Sequence, residues 1–361
     1  MNRLRHISIL CALCSALFSK AEACTGIKLI AQDGSIVHGR TLEFGKPLDT
    51  SLAFIPRDYA FTGTHPMGPG LKFKSKYAVI GAIAFDEISV LDGINEKGLS
   101  VGTFYFPGFA SYAEITAENQ PKALSPTEFS NWIITQFATV EEVKAALPSV
   151  VIAPTPLSSW ENEPPPFHYI VFDLTGKCLV IEPLKGQLVA FDNPLGVLTN
   201  SPEFPWHVTN LRNYVNLSVT NPPPTELEGV KFSAFGHGAG MIGLPGDFTP
   251  PSRFVRAAFF SQVSATPQNT EDAILQIFHV LNQFDIPKGA LRGTLNGKTY
   301  YDYTLLTSAR DPHNLKYYFN CYEDQSIRVV HLNAFDLNGK TVKKFPMTGK
   351  EKITDISSLL K

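Results

Sequence analysis

Cys24-Thr25-Gly26-Ile27-Lys28-Leu29-Ile30-Ala31-Gln32-Asp33-Gly34-Ser35-Ile36-Val37-His38-Gly39-Arg40-Thr41-Leu42-Glu43-Phe44 is the stretch on which the reading of the fold turns. Its first half alternates, with Ile27 and Leu29 on one face, as a half-buried strand does. Asp33-Gly34 is a strong two-residue hairpin signal, and Ile36 to Phe44 returns as the partner strand. A two-residue turn at positions 33 and 34 pairs residues whose numbers sum to 67, which sets Cys24 opposite Glu43. Arg40 then falls on the other face, so a bulge or bend is expected if both side chains are to reach Cys24.

Further strands are expected at 77–85, 100–106, 169–174 and 179–182, and a last group at 301–308, 316–322 and 326–332, mostly joined by short turns. Helices fall between the strand groups. Ser125-Pro126-Thr127-Glu128 is a capping box that opens a helix to about Phe137, and Thr139-Val140-Glu141-Glu142 is a second box. Residues 252–263 are apolar on one side. Asn269 or Thr270 caps an amphipathic helix carrying Ile274, Ile277, Leu281 and Phe284 at helical spacing. The proline-rich stretches 154–166 and 222–224 read as loops, not linkers. Strands, then helices, then strands again suggest one α+β domain over 24–361, with helices layered on antiparallel sheets.

Upstream of Cys24 the chain changes character. Arg3 and Arg5 make a positive start, residues 7–18 are an apolar run too short to cross a membrane, and Ala21-Glu22-Ala23 is an A-x-A cleavage pattern. Residues 1–23 are therefore expected to be a signal peptide, with export to a periplasm or beyond. Cys11 and Cys14 would leave with it, so Cys24, Cys178 and Cys321 remain from the five cysteines encoded. An odd number in an exported protein marks one thiol as free. Cys178 sits in an apolar strand pattern and Cys321 among aromatics, so both read as small buried hydrophobes, with a disulfide between them left open.

The composition is that of a globular protein of 361 residues, 44% hydrophobic and 18% charged. A net charge of -2 provides no basic footprint for nucleic acid. The nine histidines show no metal-ligand spacing, so no metal or cofactor is expected. Gly98-Leu99-Ser100-Val101-Gly102 matches G-x-S-x-G, but a turn precedes it and a strand follows, which is the wrong setting for a nucleophile elbow.

A cysteine at a chain start is chemically apt for acyl transfer. Its thiol is a strong nucleophile, and its α-amine, with a pKa of about 7.7 to 8, is a base near working pH. Arg40 would stabilise the thiolate and Glu43 would orient the ammonium. The competing reading is a lipoprotein, in which Cys24 is acylated; a lipobox usually carries Leu where this chain has Ala21.

The opening Cys24-Thr25-Gly26 with Gly39-Arg40-Thr41-Leu42-Glu43 resembles the choloylglycine hydrolase family, the bile salt hydrolases and penicillin V acylases among the N-terminal-nucleophile hydrolases. Three more blocks follow in order: Asn95-Glu96-Lys97-Gly98-Leu99 leading to Phe104-Tyr105-Phe106-Pro107, then Leu198-Thr199-Asn200-Ser201-Pro202, then 243–250 with Ser252-Arg253-Phe254. The resemblance covers nearly the whole chain after residue 23. It implies a four-layer αββα sandwich and hydrolysis of a non-peptide, small-molecule acyl amide through a thioester. It also implies a homotetramer.

Residue by residue, the resemblance makes Cys24 the nucleophile and its amine the base. Arg40 and Arg253 match the family's two site arginines. Asn200 matches an oxyanion donor, and Tyr105 supplies the other through its backbone N–H. Tyr105 stands where penicillin V acylases carry Tyr and many bile salt hydrolases Asn. Glu43 replaces the usual Asp and sets the carboxylate one methylene further out. Phe44, Phe104, Phe106 and Phe109 lie close to these blocks and are candidates to line an apolar acyl pocket, for a steroid or a phenoxyacetyl group. An N-acyl homoserine lactone is a third candidate substrate. A silent exported binding protein of the same fold is the non-enzyme alternative, motivated by Glu43.

Overall fold

The computed structural model describes residues 23–45, 48–84, 88–295 and 298–360. The expected signal peptide therefore lies outside the described residues except for Ala23.

β1 (Cys24–Ile30) and β2 (Ile36–Phe44) form the expected antiparallel hairpin, but Cys24 pairs with Leu42 and Gly26 with Arg40. The register differs by one residue from the expected one because the turn holds three residues. Ala31 N–H donates to Ser35 O, and Gly34 adopts a left-handed φ of 84°. Asp33 Oδ1 accepts from both Ser35 N–H and its hydroxyl, which stabilises that longer turn. One extra turn residue exchanges the faces. Cys24 and Arg40 consequently share a face with no bulge in this pair, and it is Glu43 that lies on the other. The two faces meet different layers. A Cβ at Gly26 would come within 2.8 Å of the Phe104 ring, whereas one at Gly39 would come within 2.8 Å of Ile277.

The remaining strands of the two large sheets are, in chain order, β3 (Ser51–Ile55), β4 (Val79–Ala84), β5 (Ser89–Asn95), β6 (Ser100–Tyr105), β7 (Phe167–Phe172), β8 (Cys178–Leu184), β9 (Gln187–Asp192), β10 (Leu291–Leu295), β11 (Lys298–Asp311), β12 (Lys316–Cys321), β13 (Asp324–His331) and β14 (Lys343–Pro346). One sheet runs β1-β2-β11-β12-β13, with β10 also on β11; the other runs β9-β8-β7-β6-β5-β4-β3-β14. Neighbouring strands in both are antiparallel. β4 to β7 are buried along their whole length, as strands covered on both faces must be.

Helices α1 (Phe129–Gln136) and α2 (Val140–Ala146) cover the second sheet, while α4 (Pro250–Val263) and α5 (Thr270–Leu281) cover the first; α3 (Phe204–Asn210) packs on α4. Phe129, Trp132 and Ile133 of α1 join Val101, Tyr169 and Val171 in one apolar cluster. Ile277 and Leu281 of α5 belong to a second that runs through Ile27 to Phe104 and Phe172. The layers are thus helix, sheet, sheet, helix, the expected αββα sandwich. Thr139 caps α2 through Glu142 N–H, and Asn269, not Thr270, caps α5 through Asp272 N–H. α1 begins three residues after the expected position. Glu128 accepts the Ser125 N–H, which is half of a capping box, but residues 126–128 form a turn.

Candidate active site

Cys24 opens β1 and is buried, and its Sγ accepts a hydrogen bond from Arg40 Nη2 at 2.8 Å. The shared face of β1 and β2 makes this contact direct. Arg40 is fully buried and locked. Its Nη1 donates to Thr103 O at 2.7 Å and Leu91 O at 3.3 Å, its Nε to Thr41 O, and its guanidinium stands 4.3 Å from the Phe104 ring centre. Asp92 Oδ2 lies 3.8 Å from Arg40 Nε and is itself held by the hydroxyl of Ser308; Tyr317 donates to Oδ1. Burial pushes the Cys24 thiol pKa up, and the Arg40 charge is the largest influence pulling it down.

Asn200 arrives beside β1 because Leu198 and Gly26 exchange backbone hydrogen bonds of 2.8 and 3.1 Å. Its Oδ1 accepts from Cys24 N at 3.0 Å and from Arg253 Nη2 at 2.6 Å, and its Nδ2 donates to Tyr105 O at 2.8 Å. Arg253, in the first turn of α4, also donates to Cys24 O, to Thr25 Oγ1 at 2.9 Å and to Phe248 O at 2.9 Å. Burial lowers its pKa to about 10, which leaves it charged at neutral pH.

Glu43 faces the helix side, where Thr304 Oγ1–H donates to its Oε1 at 3.1 Å; Oε2 has no partner among the described residues. Its N–H donates to Ala23 O at 2.9 Å. The Cys24 nitrogen is here a peptide nitrogen joined to Ala23, so no α-amine is present for Glu43 to orient. Burial raises the Glu43 pKa from 4.5 to about 7. Below pH 4.5 the carboxyl is neutral in the folded and the unfolded chain, so its burial then has no electrostatic cost. Between 4.5 and about 7 only the unfolded chain ionises, and stability falls with rising pH by on the order of 3 kcal/mol. In the chain that retains Ala23, Glu43→Gln should therefore gain stability over the parent by that amount between about pH 4 and pH 8, read from urea midpoints. A gap that stays constant would mean Glu43 is ionised and paired in the fold.

A cleft of about 20 Å³ adjoins Cys24, lined by Leu42, Glu43, Phe44, Thr103, Tyr105, Trp160 and Phe167 among others. Of the four expected pocket phenylalanines only Phe44 lines it, 5.1 Å from Trp160. Phe104 and Phe106 point to the opposite side of their strand from Tyr105 and are fully buried, under Arg40 and against His168 respectively. Phe109 is 37% exposed and stacks on Phe106. Trp160, in the proline-rich loop, was not foreseen; no periodicity marks it. Two larger grooves, of about 330 and 520 Å³, contain none of Cys24, Arg40, Glu43, Tyr105, Asn200 and Arg253. Ser100 is buried at the start of β6, with His38 Nδ1 3.2 Å from its Oγ, as a strand residue and not on an elbow. Cys178 and Cys321 are free and buried. Among the described residues no three His, Cys, Asp or Glu side chains gather as a metal site, and no helix is long and apolar enough to cross a membrane.

The model of the linear amide C–N hydrolases of the choloylglycine hydrolase family matches residues 24–345. The chain belongs to this family. The match starts at Cys24, and with it comes amide hydrolysis as the activity class. A bile salt hydrolase/transferase of Clostridium perfringens is 37% identical over 327 residues, 89% of this chain and 96% of that protein. An uncharacterized protein of Paramecium bursaria Chlorella virus 1 is 36% identical over 84% of this chain and 99% of its own length. The crystal structure of a mutant conjugated bile acid hydrolase from Clostridium perfringens superposes with a TM-score of 0.83 at 34% identity, over 92% of this chain and 100% of that one. A penicillin V acylase from Agrobacterium tumefaciens shares the fold, with a TM-score of 0.72 at 22% identity, over 90% of this chain and 91% of that one. This family member is therefore an amidase with the N-terminal-nucleophile hydrolase fold.

Proposed function

We propose that cleavage after Ala23 frees the Cys24 amine, and that Cys24 then hydrolyses a conjugated bile acid or a closely related acyl amide. The observation that carries this reading is the convergence on one residue: the Cys24 thiol meets Arg40 while its nitrogen meets Asn200. In the reaction the amine takes the thiol proton as Sγ bonds to the amide carbonyl carbon. Asn200 Nδ2–H and the Tyr105 N–H face the developing oxyanion. The ammonium returns the proton to the leaving nitrogen, the C–N bond breaks, and a thioester remains. Water, deprotonated by the same amine, attacks the thioester; the carboxylic acid leaves and the thiol is restored.

The A-x-A pattern before Cys24 supports export as the event that exposes the amine. The cleft of about 20 Å³ is room for a water, whereas ligand pockets run to about 300 Å³ or more, so substrate entry requires the site to open. The identity to bile salt hydrolases favours a steroid acyl group. A specific observation favours a second reading, penicillin V: Tyr105, Trp160 and Phe167 make an aromatic wall suited to a phenoxyacetyl ring. The test is N-terminal sequencing of the exported protein, followed by amine release from glycocholate, taurocholate and penicillin V. A start at Cys24 with turnover of the conjugates is expected. A start elsewhere, or a lipidated Cys24, overturns the proposed chemistry; a free Cys24 that turns over none of the three overturns the substrate class and favours a binding protein.

A further inference from the structure

Asn200 is held at its main chain as well as its side chain, and the main-chain contacts come from residues outside the cleft. After Leu198 the segment carrying Thr199 and Asn200 belongs to no strand, so no ladder secures these two carbonyls. Two buried imidazoles secure them instead. His168 Nε2, on β7, lies 3.1 Å from Thr199 O, and His207 Nε2, on α3, lies 2.9 Å from Asn200 O. A carbonyl only accepts, so each ring carries a proton on Nε2.

The surroundings of each ring point the same way. His207 is fully buried and stacks on Phe254 with centroids 4.7 Å apart, and its Nδ1 has no partner among the described residues. Burial lowers its pKa to about 4, so at neutral pH its one N–H is committed to Asn200. His168 stacks on Phe106 at 4.3 Å, and its Nδ1 lies 3.3 Å from Glu182 Oε1, an oxygen that also accepts the Phe204 N–H at the start of α3. Glu182 thereby links the two histidines through the helix that bears His207. Burying two imidazoles and a carboxylate costs free energy, and none of the three lines the cleft.

We propose that His207, together with the His168–Glu182 pair, are positioning residues that hold Asn200 where its side-chain amide faces the reacting carbonyl. This rests on the oxyanion role of Asn200 proposed above. A displacement of about 1 Å at such a group is worth roughly 100-fold in rate, and a shared function makes the effects of two residues non-additive.

The probe is p-nitrophenyl acetate, whose acylation of Cys24 is read as Cys24-dependent p-nitrophenolate release and does not depend on the natural amide. His207→Phe keeps the stack and removes the donor; it should slow acylation roughly 10- to 100-fold. His207→Gln keeps a donor near the same place and should restore most of the rate. In an Asn200→Ala background, His207→Phe should cost less than about twofold. Should His207→Phe fail to fold, Glu182→Gln takes its place, with the same non-additivity expected. A full loss from His207→Phe on top of Asn200→Ala, or a Gln variant as slow as the Phe one, overturns the positioning role. Asn200→Ala acylating like the parent instead overturns the oxyanion assignment itself, and the positioning role with it.

Discussion

Cys24→Ala should lower amide turnover by on the order of 10⁴-fold or more while leaving a folded protein. The cleft holds no second thiol; its Thr103 hydroxyl donates to Val90 O at 3.3 Å, and Glu43 Oε1 accepts from Thr304. Removal of the thiol deletes one atom from a buried position and deprives Arg40 Nη2 of its acceptor, for about 1–3 kcal/mol. Arg40 keeps its bonds to Thr41, Leu91 and Thr103, so it stays in place. Cys24→Ser restores an acceptor for Arg40 Nη2 but not a comparable nucleophile, and should recover stability without recovering rate. The measurement is amine release from whichever conjugate the parent hydrolyses, beside thermal melts of all three proteins. Turnover above about 1% of the parent in Cys24→Ala would place the nucleophile elsewhere.

What the sequence told of this site, and what it withheld, divides by the range of the interactions. The strand character of β1 and β2 follows from local alternation, and the six proposed residues follow from motifs that keep their spacing along the chain. The face on which each lies did not follow, because Asp33-Gly34 reads as a two-residue turn while Ser35 draws Asp33 into a three-residue one. That single residue decides that Arg40 and not Glu43 shares the Cys24 face. The pocket phenylalanines failed for a related reason. Phe104, Tyr105 and Phe106 are adjacent in sequence, but a strand sends neighbours to opposite faces, and only Tyr105 reaches the cleft. The histidine contacts were beyond local reading altogether. Thr199 and His168 are 31 positions apart, and only the packing of β7 and α3 around the Asn200 segment makes their nitrogens donors to it.

Arg253→Met should destabilise the chain by about 3–5 kcal/mol and lower turnover by roughly 10²–10³-fold. Methionine nearly fills the volume, so a cavity is not the cause. The cause is polar: one guanidinium serves Phe248 O, Cys24 O, Thr25 Oγ1 and Asn200 Oδ1, all in a buried setting, and loses them together. The Asn200 side chain keeps only its bonds to Cys24 and Tyr105, hence the loss of rate. Arg253→Lys should recover part of the stability and little of the rate, because an ammonium cannot match a fork that reaches acceptors on four residues. Charge adds a pH signature. Arg253 is the strongest influence lowering the Glu43 pKa, so its removal carries that pKa above the present value of about 7. A carboxyl whose folded pKa is raised loses stability as pH climbs from its unfolded pKa to its folded one. The parent's loss is complete near pH 7, and the variant's continues beyond it. The stability gap between parent and Arg253→Met, measured by urea denaturation, should therefore widen between about pH 7 and pH 9. A gap independent of pH would mean that Glu43 of β2 and Arg253 of α4 do not interact. A variant within about 1 kcal/mol of the parent would mean that water takes over the four acceptors.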